Sequence, residues 1–232
     1  MRCNMNINNI KLYGDQASEN VIIQMVDDHD LEVMETEAAE AARLAGGDFC
    51  IAAVPVDDWN RDLSPWEADP VFGKERFGSG AADTLKFITD SVLPWIEREH
   101  PFHSRKAADD PASAARRYYI AGYSLAGLFA LWASYQTDIF CGTAAASPSV
   151  WFPGWIEYSA EHHIKVSAVY LSLGDKEPRT KNALMKTVGD CIIKQEEILS
   201  AAGIDTILEW NKGNHFQHNN LRTAAGIAWL LR

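Results

Sequence analysis

Apolar positions along this chain follow two rhythms. Short, largely apolar runs, several rich in β-branched or aromatic residues, fall at 21–26, 49–56, 118–121, 140–146, 168–173 and 206–210. Between them, apolar residues recur every three or four positions, at 34–45, 81–99, directly after Ser124, at 187–202 and at 224–231. Such runs predict strands buried on both faces, and the longer spacing predicts amphipathic helices. Gly46-Gly47 closes the first helix and Gly203 the fourth. Pro94 is expected to kink the helix over 81–99. Alternating strands and helices predict an α/β architecture, a mostly parallel sheet with helices on both faces. In such sheets a functional site lies beyond the carboxyl ends of the strands.

Two connections break this rhythm. Residues 27–30 (Asp-Asp-His-Asp) read as an acidic loop after the first strand. Residues 59–79 form a long loop carrying Trp59, Arg61, Pro65, Trp66 and Phe72. Loops of that length inside compact folds are usually functional.

The chain has 232 residues, the size of one large α/β domain, so a single domain over 1–232 is expected. Its composition is 47% hydrophobic and 23% charged, with a formal charge of −11. That charge repels phosphate backbones, and no basic cluster offsets it, so nucleic acid is not an expected partner. No apolar run approaches membrane-span length, and the first residues lack a signal-peptide core. The four cysteines (Cys3, Cys50, Cys141, Cys191) have no C-x-x-C spacing. The last three sit in apolar settings and are expected as buried thiols, which fits a reducing cytoplasm. No metal and no cofactor are expected. Only His162-His163 and His215-x-x-His218 offer grouped ligands.

The chemistry concentrates in 118–135. An apolar run meets Gly122-Tyr-Ser-Leu-Ala-Gly127, and a helical pattern follows at once. A strand, a sharp turn and a helix with serine at the apex would project the hydroxyl above the sheet edge. Two more reactive residues follow predicted strands. Asp175 and Glu177 come after the strand at 168–173, and His215 follows the strand at 206–210. Serine hydroxyl is a weak nucleophile until an imidazole takes its proton, and a carboxylate orients that imidazole. The order nucleophile, acid, histidine is that of α/β-hydrolases. Ser124 and His215 are therefore the expected nucleophile and base, with His218 as fallback. Glu177 is the expected acid because it clears the strand end, with Asp175 as the alternative. Backbone N–H of Leu125 is the expected first oxyanion donor. The second is expected from Asp28 or His29, or alternatively from Asp58-Trp59.

Eight tryptophans are many for this length. Trp95, Trp132, Trp210 and Trp229 fall on predicted elements and are expected in the core. Trp59, Trp66, Trp151 and Trp155 fall on loops and either line a pocket or pack the loops. Trp59, Arg61, Trp151 and Phe216 are the expected substrate-binding residues. Arg61 would meet an anionic substrate group or pair with Asp57, Asp58 or Asp62.

Residues 120–131, then Ser147-Pro-Ser-Val-Trp151, resemble the putative esterase family of the α/β-hydrolase superfamily. That family includes esterase D, siderophore esterases, feruloyl esterases and mycolyltransferases. Arg61-Asp-Leu-Ser-Pro65 is similar to its Arg…Glu-Leu-Thr-Pro loop, and Gly80-Ala-Ala-Asp…Leu93-Pro-Trp-Ile-Glu97 to the helix before its nucleophile strand. The resemblance runs from about residue 20 to the end. It implies an α/β-hydrolase fold, a Ser124-Glu177-His215 triad and carboxylic-ester hydrolysis through an acyl-enzyme. Acyl transfer on the same fold, or a non-catalytic binding protein, are the alternatives. Two departures stand out: Ala126 replaces a usual glycine, and Asp27-Asp-His29 stands where Asp-Gly is common. The chain is short for the family, so an open site with a minimal lid, or none, is expected. The expected partner is a small-molecule ester, and a homo-oligomer is compatible with the sequence.

Overall fold

The structure, a computed structural model, describes residues 5–71, 73–102 and 115–232. Cys3 and Phe72 lie outside them. Seven strands form one sheet: β1 (Lys11–Gly14), β2 (Asn20–Val26), β3 (Cys50–Pro55), β4 (Arg117–Tyr123), β5 (Phe140–Ala146), β6 (Ala168–Gly174) and β7 (Asp205–Asn211). Their order is β1-β3-β2-β4-β5-β6-β7. Every neighbouring pair is parallel except β1 with β3, where Lys11 lies opposite Ala53. The helices are α1 (Asp28–Ala45), α2 (Trp59–Asp62), α3 (Ala81–Phe87), α4 (Leu93–Glu99), α5 (Leu125–Gln136), α6 (Trp155–Glu161), α7 (Val188–Ala201) and α8 (Asn219–Leu230).

The inner strands read as largely apolar runs because both sheet faces are covered there. Along β2, Val21, Ile23 and Met25 pack into one core with α3 to α7. Ile22 and Val26 pack into the other, with Met34, Ala38 and Ala41 of α1 and Ala224, Ile227 and Leu230 of α8. A period-2 backbone thus sends alternate side chains into two separate cores. This is the mostly parallel α/β sheet that the periodicity predicts.

Several elements depart from expectation. Residues 28–30 are not a loop but the first turn of α1. Asp27 caps that helix, its carboxylate accepting from the Asp30 N–H at 2.8 Å while Asp30 accepts from the Asp27 N–H at 3.2 Å. This reciprocal cap starts the helix six residues before its apolar stripe begins. Around Pro94 the helix does not simply kink. Ile88–Val92 winds as a π-helical segment between α3 and α4. Pro94 has no N–H to give to the carbonyl four residues earlier, so a wider turn there sacrifices nothing. Trp210, expected in the core, is 46% exposed because β7 is an edge strand. Trp132 is buried as expected, whereas Trp95 and Trp229 are only partly covered. Of the thiols expected to be buried, Cys50 is buried, Cys191 is half-buried and Cys141 is exposed. Cys141 is skipped where the β4–β5 register shifts, Tyr118 pairing with Phe140 and Tyr119 with Gly142, so this bulged residue faces outward between two buried neighbours. Strand β1 and helix α6 carry too short a pattern to stand out in the sequence.

Candidate active site

The β4–α5 turn is tight. Ser124 adopts φ 58°, ψ −120°, a conformation that side chains rarely take. Strand and helix nearly touch beneath it: a Cβ on Gly122 would lie 2.4 Å from the Ala126 carbonyl oxygen. The methyl of Ala126 is accommodated because Gly122 has none. The Ser124 N–H donates to the Ala146 carbonyl at 3.1 Å, and the Ser149 N–H donates to the Ser124 carbonyl at 3.0 Å. The serine backbone is thereby pinned to the strand beside it.

Parallel pairing of β6 and β7 continues into the loops that follow them. The Asp175 N–H donates to the Asn211 carbonyl at 2.8 Å, and the Lys176 N–H to the Gly213 carbonyl at 3.0 Å. Asp175 Oδ1 accepts from the Gly213 N–H at 2.9 Å. Gly213 sits at φ 117°, open to glycine with little strain. This zipper carries His215 over the sheet edge. His215 Nε2 lies 2.9 Å from Ser124 Oγ, and His215 Nδ1 lies 2.7 Å from Glu177 Oε2. Asp175, the alternative acid, holds the histidine loop and does not reach the imidazole. His218 takes the left-handed N-cap position of α8 (φ 58°).

Glu177 is buried, and each of its oxygens is occupied. Oε1 accepts from Ser147 Oγ, from the Gly174 N–H and from Arg222 Nη1, each at 2.8 Å. Burial alone would push this carboxyl up. Hydrogen bonds from His215, Gly174 and Ser147, with the His215 charge, outweigh burial and hold it below its ordinary range. Arg222 is itself buried. Its guanidinium also donates to Ser147 Oγ at 3.0 Å, to the Tyr123 hydroxyl at 3.1 Å and to the Asn214 carbonyl at 3.1 Å. The Tyr123 hydroxyl donates in turn to the His215 carbonyl at 2.8 Å. Burial pushes the Tyr123 phenol up to about 12, so it remains a donor at neutral pH.

Arg222, Ser147 and Tyr123 escaped the sequence reading. One signal for Arg222 was present. It falls four residues before Gly226 and eight before Leu230, on the buried stripe of α8. A cation on a buried stripe needs an anion. Nothing local names Glu177 as that anion.

A cavity of about 500 Å³ opens over Ser124 and His215, walled by Trp59, Phe77, Leu125, Trp151, Met185 and Phe216. The long loop after β3 supplies Trp59 and Phe77. Trp151 and Phe216 border it as expected candidates, and Phe216 is 90% exposed at the rim. Arg61 makes its ion-pair alternative: Nε and Nη2 clasp buried Asp62 at 2.7 and 3.0 Å. It is not among the residues lining this cavity. Trp155 is fully buried, and Trp66 packs on Phe152 and Tyr158, so these two serve as packing. The Leu125 N–H makes no hydrogen bond among the described residues. The same holds for His29 in the first turn of α1, whereas the Asp58 N–H is taken by Asp62. Gln24 pairs with Ala121, so Asp27 comes level with Ser124 and α1 starts beside the serine turn.

A seven-stranded, mostly parallel sheet with a strained serine after the central strand defines an α/β-hydrolase fold. The family described as Putative esterase matches residues 15–202, a span that holds Ser124 and Glu177 and ends before His215. The chain belongs to that family and is an ester-hydrolysing enzyme. No curated protein sequence matches it. Among solved structures it is similar to the siderophore hydrolase EstA from Aspergillus nidulans, with 19% identity and a TM-score of 0.70 over 96% of this chain and 89% of that one. An IroE-like serine hydrolase from Shewanella oneidensis aligns with 15% identity and a TM-score of 0.73, over 99% of this chain and 78% of that one. The enterobactin esterase FES from Shigella flexneri aligns with 15% identity and a TM-score of 0.65 over 95% of this chain, which spans only 54% of that longer protein. At these identities the likeness carries the fold. No helix among the described residues is long and apolar enough to cross a membrane.

Proposed function

We propose that the protein is a serine carboxylesterase working through an acyl-enzyme, with Ser124 as nucleophile, His215 as general base and acid, and Glu177 as the orienting carboxylate. The observation that carries this reading is the continuous chain of hydrogen bonds from Ser124 Oγ through His215 to Glu177, at 2.9 and 2.7 Å.

Ser124 Oγ attacks the ester carbonyl carbon as its proton passes to His215 Nε2. The carbonyl oxygen becomes an oxyanion, which the N–H groups of Leu125 and His29 receive. The helix ends from which both point favour negative charge. The bond to the leaving oxygen then breaks, and His215 returns the proton to the departing alcohol. Water repeats the sequence in the second half: His215 takes its proton, hydroxide attacks the acyl carbon, and the acid leaves as Ser124 regains its hydrogen. The apolar cavity accepts the organic part of a small ester.

Hydrolysis of p-nitrophenyl acetate by the purified protein and by Ser124→Ala tests this reading. Loss of about 10⁴-fold or more in kcat is expected on removing a triad nucleophile. Covalent labelling of Ser124 by a fluorophosphonate is expected in the parent alone. Equal hydrolysis by the two proteins would refute the assignment.

A further inference from the structure

The turn that delivers Glu177 to His215 carries a second feature. Residues Glu177–Arg179 form one 3-10 turn, closed by the Arg179 N–H donating to the Lys176 carbonyl at 3.0 Å. Positions i and i+3 of such a turn eclipse each other. Lys176 and Arg179 therefore share one face, while Glu177 between them points inward. Both cations are exposed, and neither makes an ion pair or side-chain hydrogen bond among the described residues. Two like charges held on one face repel, and the adjacent acid, Asp175, gives its Oδ1 to the Gly213 N–H and pairs with neither.

Their face opens on a second cavity of about 390 Å³, lined by Lys176, Arg179, Thr180, Asn214 and His215 among others. It adjoins the apolar cavity over Ser124 and shares Trp151, Thr180, Met185, His215 and Phe216 with it. The surrounding segment has the same sign. Residues 176–187 hold four cations (Lys176, Arg179, Lys181, Lys186) and one acid, the buried Glu177 that Arg222 already pairs with, in a chain of net charge −11.

We propose that this second lobe is an anion subsite, and that the preferred substrates are esters with a carboxylate or other anionic group a few bonds from the scissile carbonyl. The apolar lobe takes the organic body of the ester. Lys176 and Arg179 take the anion on the far side of His215. The proposal deepens the carboxylesterase reading and rests on it. It also assigns the substrate anion to residues other than Arg61.

Binding tests the subsite without turnover. 4-Acetamidobenzoate and N-phenylsuccinamate carry a carboxylate on either side of an uncleavable amide, and their primary amides are the neutral controls. Calorimetry with the Ser124→Ala protein is expected to show at least one acid binding about 3- to 10-fold more tightly than its control, the scale of two part-exposed charge contacts. That preference should vanish in Ser124→Ala carrying Lys176→Met and Arg179→Met, and shrink as salt is raised. With the active enzyme, the kcat/KM ratio of p-nitrophenyl hemisuccinate to p-nitrophenyl acetate, or of 4-acetoxybenzoate to its methyl ester, should fall by a similar factor in Lys176→Met/Arg179→Met. Acids and controls binding alike in both proteins would overturn the subsite while leaving the esterase intact. Ser124→Ala hydrolysing esters at the parent rate would overturn the esterase while leaving the binding result standing.

Discussion

Replacing Arg222 by methionine removes the buried cation behind Glu177 and keeps the bulk of the side chain. The Arg222 side chain is 3% exposed and Glu177 4%, so water cannot replace the lost partner. Breaking a buried ion pair from one side costs about 3–5 kcal/mol, because the remaining charge stays buried and uncompensated. For a protein of this size that lowers the melting temperature by about 10 °C, within a typical stability of 5–15 kcal/mol. Glu177 Oε1 keeps its bonds from Ser147 and Gly174, so the carboxylate loosens without leaving. If about 1–3 kcal/mol of coupling reaches the transition state through His215, kcat falls about 5- to 100-fold. Arg222 is not among the residues lining either lobe, so KM should stay within about twofold. Arg222→Lys keeps the charge and loses the guanidinium fork, and should fall between. A thermal melt and p-nitrophenyl ester kinetics read both effects. A double-mutant cycle with Glu177→Gln isolates the pair, with a coupling of at least about 1 kcal/mol expected. Additive effects in that cycle, or an Arg222→Met protein with parental melting and kcat, would refute Arg222 as the positioning residue of Glu177.

The two candidate acids separate in the same assay. Glu177→Gln is expected to lower kcat by about 10²-fold or more, whereas Asp175→Asn keeps an Oδ1 that accepts from the Gly213 N–H and changes kcat little. A larger loss from Asp175→Asn would reverse the assignment. Gly122→Ala forces a methyl to within 2.4 Å of the Ala126 carbonyl, so destabilisation by about 3 kcal/mol in urea unfolding is expected, and full stability would contradict the packing. Glu37 on α1 is 3% exposed; burial pushes its carboxyl up to about 8, Gln24 offsets part of that, and the Asp30 charge adds to it. Its proton stabilises the fold fully below the unfolded value near 4.5, and that stability is lost as pH climbs through about 8. Urea unfolding of Glu37→Gln and parent should therefore differ by under about 1 kcal/mol at pH 5 and by about 4 kcal/mol at pH 9, in favour of the variant. A constant gap across that range would remove Glu37 from the pH response.

Much of this protein is legible from local sequence. Six of the seven strands announce themselves as short, largely apolar runs, and the inner ones, covered on both faces, need apolar residues at consecutive positions. The serine turn is legible because close strand-to-helix contact demands Gly122 and Gly127 at fixed offsets. The order of Ser124, Glu177 and His215 was readable because each follows a strand. Strand β1 was not: four residues at a sheet edge carry too little pattern. The start of α1 was missed because Asp27 and Asp30 cap a helix through side-chain bonds while resembling an acidic loop. What the tertiary structure alone decided is distance. Ser124 and His215 lie 91 residues apart, and Glu177 and Arg222 lie 45 apart. The choice of Glu177 over Asp175 beside His215 follows from the β6–β7 register and the zipper beyond it. So does the presence of Lys176 and Arg179 on the rim of a second lobe. Sequence pattern reports which face of its own element a residue occupies. Which residues of distant elements meet at a strand end depends on how the sheet pairs, and no local periodicity encodes that pairing.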